Sequence, residues 1–169
     1  MARDMDVSPL VIRPRPLTPE AFAPYGEVIA HQGAERRHHL TEPMRHSPEV
    51  VRHASWVSRV QAAPPGPVEI RLMERHRYAA QSFVPLTDSP YLVVVAPTGA
   101  DDLPDMARLE AFLATGSQGV CYRVGAWHHG LTVLRGPAEF LVLMGQTGRG
   151  DDDEFWQAPA PHALVSISD

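Results

Sequence analysis

Proline punctuates this chain too densely for long helices. Seventeen prolines fall among 169 residues. Each one removes a backbone donor and fixes φ, so the pattern predicts many turns joining short elements. A length of 169 residues suits one domain with a sizeable buried core. The domain expected is residues 17–169, preceded by an irregular lead-in over residues 1–16, which carries Pro9, Pro14 and Pro16.

Between the prolines the apolar residues recur mainly with the period of strands. Val68, Ile70 and Leu72 alternate with charged Glu69 and Arg71, which is the signature of a half-buried strand. Carrying the parity forward turns Glu74 and His76 toward the core, with Met73 and Arg75 outward. Residues 91–96, Tyr-Leu-Val-Val-Val-Ala, read as a central strand buried on both faces. Residues 55–61, 81–86, 119–124, 131–134, 140–144 and 164–167 supply further strands. Two helices are expected. Thr18 caps a single turn that starts at Pro19 and stops at Pro24. Met106, Leu109, Phe112 and Leu113 recur at helical spacing over 104–114, with Gly116 placed to end that helix. The sum is a mainly β domain, a barrel or sandwich with one or two short helices.

Bulk properties exclude several function classes. A net charge of −5 argues against nucleic-acid binding. No apolar run approaches the ~20 residues a membrane span needs. The first residues lack the apolar core of a signal peptide. Cys121 is the sole cysteine, so no internal disulfide forms and a reducing cytoplasmic compartment is expected. It reads as a buried apolar residue, and Trp127 and Phe83 as core packing. The run Asp151-Asp152-Asp153-Glu154 reads as solvated surface.

A carboxylate and an imidazole aimed into a core need a reason. Glu74-x-His76, then Gln81, then Gly125-Ala126-Trp127-His128 parallels the layout by which cupin barrels hold a metal: His-x-His, a following Glu, and a later Gly-x-x-His. Residues i and i+2 of a strand share a face, so Glu74, His76, Gln81 and His128 can close a polar site around one divalent metal ion. Glutamine is a poor ligand, and the same spacing also serves a cluster that only hydrogen-bonds within itself. His129, next in sequence, faces away from His128.

These residues resemble the ureidoglycolate lyase family. The similarity is carried by Met73-Glu74-Arg75-His76, by Gln81-x-Phe83-Val84-Pro85, by Val93-Val94-Val95-Ala96, and by Gly119-Val120-x-Tyr122 followed by Trp127-His128-His129. Phe22-x-x-Tyr25-Gly26-Glu27 and Glu35-Arg36-x-His38-x-Leu40 add to it. Three positions depart from the family pattern: Arg77 and Gly130 stand where it has proline, and Arg123 where it has histidine. The resemblance implies a cupin-like barrel of the jelly-roll type, a homodimer, and cleavage of (S)-ureidoglycolate to glyoxylate and urea in purine breakdown. The alternative is a diverged cupin that binds or transforms another small hydroxy or keto acid, as a sensor, isomerase or oxygenase.

Ureidoglycolate bears a hydroxyl, a carboxylate and the urea nitrogen on one carbon. Cleaving it needs a base for the hydroxyl and an acid for the nitrogen, and no organic cofactor. Glu74 or His76 is the expected base, with His128, or His38 from the 31–46 loop, as the acid. Arginine is the natural grip for the carboxylate. Arg59, which shares a face with Val57, is the first candidate, and Arg36 and Arg123 are the others. Gln81 and Tyr122 complete the candidate substrate contacts.

Overall fold

The computed structural model describes residues 8–167. Fifteen strands appear in order: β1 (Leu10–Ile12), β2 (Arg15–Pro16), β3 (Gly26–Ile29), β4 (Arg52–Val60), β5 (Val68–Ile70), β6 (Leu72–His76), β7 (Gln81–Pro85), β8 (Tyr91–Ala96), β9 (Glu110–Ala114), β10 (Gly119–Tyr122), β11 (Trp127–His128), β12 (Thr132–Val133), β13 (Ala138–Gln146), β14 (Asp153–Gln157) and β15 (Ala163–Val165). One α-helical turn, α1 (Pro19–Phe22), precedes β3. Its first turn is satisfied as the sequence suggests, with the Thr18 side chain accepting from the Ala21 amide at 3.2 Å. No helix among the described residues is long and apolar enough to cross a membrane.

The strands form three layers. A five-stranded sheet runs β3-β10-β7-β13-β4, and a seven-stranded sheet runs β14-β6-β11-β8-β9-β2 with β12 also pairing β8. Between them lies a core of Phe22, Val28, Tyr91, Val93, Val95, Phe112, Val120, Tyr122, Phe140 and Val142. A small sheet, β1-β15-β5, covers the other face of the seven-stranded sheet. There Val68, Ile70, Met73, Leu92, Val94, Trp127 and Val165 form a second core. Strand β8 divides its residues between the two, odd positions into the first core and even positions into the second, which is why it reads as an unbroken apolar run. This is a cupin-like β-barrel flattened into a sandwich.

Three local expectations are corrected. Residues 104–114 hold no long helix: a 3-10 turn at Met106–Arg108 leads into β9. Pairing with the open edge of β8 outweighs the helical preference of Glu110-Ala111-Phe112-Leu113-Ala114. As a strand, the segment sends Phe112 into one core and Ala111 into the other, which a helix with one apolar stripe cannot do. Gly116 therefore caps nothing; it sits in the turn after β9, where a Cβ would strike Asp88 and Ser89. The lead-in is partly ordered, since β1 pairs β15 and β2 pairs β9, both in parallel. Residues 1–7 of it lie outside the described residues, as do 168 and 169.

Gly26 is required by close approach. It pairs with Tyr122, and a Cβ there would overlap the Cys121 carbonyl. Gly26→Ala is expected to destabilise the protein by about 3 kcal/mol through overpacking. Thermal denaturation reads this, and an unchanged midpoint would show that β3 can shift freely.

Candidate active site

The site grows from strand β6. The alternation of residues 68–76 is broken at Arg71, which separates β5 from β6. Val68 and Ile70 belong to the small outer sheet and share the second core with Met73, while Leu72 is exposed. Met73 and Arg75 do face away from Glu74 and His76, but into a buried layer and not into solvent. Glu74 and His76 face the space between the two large sheets.

Neighbouring strands bring the other groups. Glu74 is the register partner of His128 on β11, and His76 that of Asp153 on β14. From the facing sheet, Gln81 presents Oε1 3.0 Å from His76 Nε2. His128 Nε2 lies 3.4 Å from Glu74 Oε1. His76 Nδ1 lies 2.9 Å from Asp153 Oδ1. Donor atoms of Glu74, His76 and His128 all fall within 4.8 Å of one another. The Tyr122 ring stacks on His128 at 3.9 Å and 8°. It forms a buried support beneath the imidazole.

The partners fix the ring nitrogens. His128 Nδ1 is 2.9 Å from the Ala126 carbonyl, which only accepts, so Nδ1 carries hydrogen and Nε2 presents its lone pair when the ring is neutral. Gln81 Nε2 donates to Met144 Sδ, so Gln81 Oε1 accepts from His76 Nε2. His76 Nδ1 then faces the Asp153 carboxylate. With acceptors at both nitrogens, the His76 ring is suited to hold two protons.

The electrostatics separate the two histidines. Burial alone would lower the pKa of His76, but Asp153 and Glu74 outweigh burial and raise it. Burial keeps His128 below its ordinary pKa, against the pull of Glu74. Burial pushes Glu74 up, yet His128 and His76 beside it hold the carboxyl below its usual value. Two imidazoles whose environments push them apart are the arrangement expected of an acid and base pair. The His76 and His128 rings are buried, whereas the side chains of Glu74 and Asp153 are 25% and 50% exposed. The cluster therefore meets solvent along the β14 edge.

The cluster can also hold a metal. His76 Nδ1 and His128 Nε2 are buried without a directed hydrogen bond. The Ala126 carbonyl orients His128 as a ligand's second partner does. Glu74, His76 and His128 give the two imidazoles and one carboxylate suited to a divalent ion, while Gln81 is already engaged by His76.

Behind this face stands Arg75, buried with 3% of its surface exposed. Its guanidinium lies over the Trp127 ring at 4.4 Å, donates to both carboxylate oxygens of Asp102 at 2.9 and 2.8 Å, and donates to Glu154 at 3.0 Å. Arg77 pairs with the same two carboxylates. Together they tie β14 to β6.

The remaining candidates lie elsewhere. Arg59 is on the outer face of β4 and bonds Glu139 at 2.7 and 2.9 Å. Arg123 donates to the Ala23 carbonyl at 2.8 Å. His38 lines a cleft beside α1 and β3 with Arg123, Gln32 and Glu42. Arg36 is exposed in the 31–46 segment. His129 faces away and bonds the Leu72 carbonyl at 2.8 Å. Asp153, read from sequence as solvated surface, is the residue that joins the site unannounced. Burial alternates along 153–157 in the strand, but Asp-Glu-Phe-Trp-Gln shows no polar–apolar alternation, so the sequence itself carries no clear signal for it.

A cupin-like barrel with a His–Glu–His cluster between its sheets defines a small-molecule enzyme site. The ureidoglycolate lyase family profile matches residues 9–164, and the chain belongs to that family. It is 41% identical to ureidoglycolate lyase of Brucella anthropi, with 90% of this chain and 92% of that protein covered. It is 41% identical to the enzyme of that name from Azotobacter vinelandii, covering 83% and 89%. The Pseudomonas syringae pv. syringae protein is 37% identical, covering 88% and 95%.

Removing Arg75 should loosen the wall behind the site. Arg75→Ala is expected to cost about 2 kcal/mol, less than a fully enclosed pair because Asp102 and Glu154 still reach water. Chemical denaturation reads the loss, and a change under about 0.5 kcal/mol would show that the network does not hold the strands.

Proposed function

We propose that the protein cleaves (S)-ureidoglycolate to glyoxylate and urea. The observation that carries this reading is one carboxylate set against two buried imidazoles whose surroundings push their pKa values in opposite directions, inside the barrel of a chain from this family. The hydroxyl and the urea nitrogen sit on one carbon, so a base and an acid a few ångströms apart serve both. His128 Nε2 accepts the hydroxyl proton. The oxygen's electrons form the carbonyl as the C–N bond breaks, and its electron pair stays on nitrogen. His76 gives that nitrogen a proton. Glu74 lies against both rings and steadies the charge as it moves from one to the other, while Asp153 and Gln81 aim His76. These roles reverse the direction expected from sequence for the two histidines.

In place of this acid–base arrangement, with His76 deprotonated, a divalent ion held by Glu74, His76 and His128 would supply a Lewis acid that makes the substrate hydroxyl more acidic. The free, buried Cys121 fits a cytoplasmic home. A homodimer is supported by the unpaired edge of β4, with Val57 exposed on its outer face and Val51 exposed just before the strand.

Glyoxylate release from (S)-ureidoglycolate, above an uncatalysed control, tests the reading. His76→Ala is expected to lose roughly 100-fold or more in kcat with an unchanged melting temperature. Full activity in that variant would refute the assignment, and loss of activity with a chelator, restored by divalent ions, would add the metal. Light scattering on the purified protein is expected to give twice the chain mass of 18.6 kDa; a monomer would sink the dimer.

A further inference from the structure

The site described so far contains two carboxylates, Glu74 and Asp153, and the substrate brings a third. Something cationic must face it. Arg59 is turned outward onto Glu139, and Arg123 is held at the Ala23 carbonyl. Along β13 and β4 the register runs from Ala138 opposite Val60 to Gln146 opposite Arg52. Phe140 and Val142 lie in the core between the sheets, and Met144 contacts Gln81. Partners in a ladder share a face, so Ser58, Trp56 and Ala54 point inward with them. Gln146 and Arg52 continue that row. Among the described strands of this sheet, Arg52 is the one arginine on the inner face.

Its position is at the site's end of the sheet. Gln81, which touches His76, is the register partner of Met144, and Met144 that of Ala54. Arg52 is two residues along from Ala54, about 6.6 Å. It lies toward the loop that leaves Gln146 and arrives at Asp153. That short loop puts the β4 edge of one sheet and the β14 edge of the other on the same flank. Glu74 and Asp153 reach solvent on that flank. Facing sheets lie about 10 Å apart, a gap that an extended arginine and a small hydroxy acid fill together. Arg52 Nε donates to Gln146 Oε1 at 2.9 Å, which fixes the side chain while no carboxylate among the described residues forms an ion pair with its Nη atoms. An aimed, uncommitted guanidinium on the inner face is suited to a carboxylate that arrives with the substrate.

We propose that Arg52, steadied by Gln146, grips the substrate carboxylate and so sets the enzyme's preference for α-hydroxy acids. The proposal rests on the lyase reading for its substrate, but not for its chemistry. Arg52→Gln, Arg52→Lys and Arg59→Gln would be compared by steady-state kinetics on (S)-ureidoglycolate and by NMR titration of glycolate into chelator-treated protein. Arg52→Gln should raise KM roughly 10- to 100-fold, with kcat changed far less and the melting temperature kept. Arg52→Lys should recover only part of the loss, because an ammonium lacks the two-pronged geometry. Arg59→Gln should behave as wild type. Glycolate binding should weaken in Arg52→Gln by a similar factor. Unchanged KM and glycolate affinity in Arg52→Gln would overturn the proposal while leaving the lyase reading intact. If the wild type turns over no ureidoglycolate, that reading fails, and the glycolate titration alone still decides whether Arg52 binds a carboxylate.

Discussion

The cation of Arg75 is the interaction on which the site's geometry depends. A guanidinium taken out of water is costly unless its charge and its donors are matched. Here Asp102 and Glu154 accept from it in pairs, and the Trp127 face takes the remaining side. Both carboxylates are held below their ordinary pKa, Arg75 being the first cause for each. Because Glu154 belongs to β14 and Arg75 to β6, matching the charge also docks the edge strand. The residues on either side of Arg75 are Glu74 and His76, and the residue before Glu154 is Asp153. A period of two then obliges these neighbours to emerge together on the opposite face, so the structural network and the chemical cluster are two sides of the same pair of strands.

The layered architecture explains how a strand can carry both. Single-faced sheets leave one side to water, but the seven-stranded sheet is covered on both sides around β6, β11 and β8. Trp127 and His128 illustrate the division: the indole enters the outer core against Arg75, and the imidazole enters the inner space against Glu74 and Tyr122. Burial then does chemical work on the rings. His128 has one carboxylate neighbour and full burial, which lowers its pKa, whereas His76 has two carboxylates beside it, which raise its pKa against burial.

Much of this was legible from alternation. Glu74, His76 and His128 were placed inward because a carboxylate and imidazoles at strand spacing mark a face, and parity transmits across a register. Parity carried less far where the strand was interrupted. The break at Arg71 exchanged Leu72 for Met73 as the buried residue, although the inward side of Glu74 survived. On β4, alternation identified two faces but not which one was inner, since Val57 and Trp56 are both partly exposed. Arg59 was chosen by its apolar neighbour Val57, and the pairing with β13 shows that Val57 faces out. Residues 104–114 failed for another reason. Their local composition favours a helix, and only the unpaired edge of β8, invisible to a local window, decides for a strand. Asp153 was hidden by its own neighbours, because four consecutive acids look like solvent whatever structure they adopt.

Charge accounting gives the arrangement its direction. Glu74 and Asp153 set two carboxylates against two imidazoles, of which the surroundings favour protonation of His76 and disfavour that of His128, so the balance of the cluster is negative. An anionic hydroxy acid would enter against that charge, in a space where poor screening makes repulsion strong. In the proposed reaction the same negative charge is needed, because it favours the protonated form of His76. The conflict is resolved by distance: the carboxylate of the substrate must lie away from Glu74 while its hydroxyl and nitrogen lie close to the two rings. A cation on the facing sheet, at the open flank, would separate those ends and orient the reacting carbon between them. On the proposed reading, the sheet opposite the histidines would be a functional half of the site. Gln81 already shows this by reaching across to His76. On the proposed reading, selectivity for a carboxylate and catalysis by paired imidazoles would come from opposite walls, each open to tuning apart from the other.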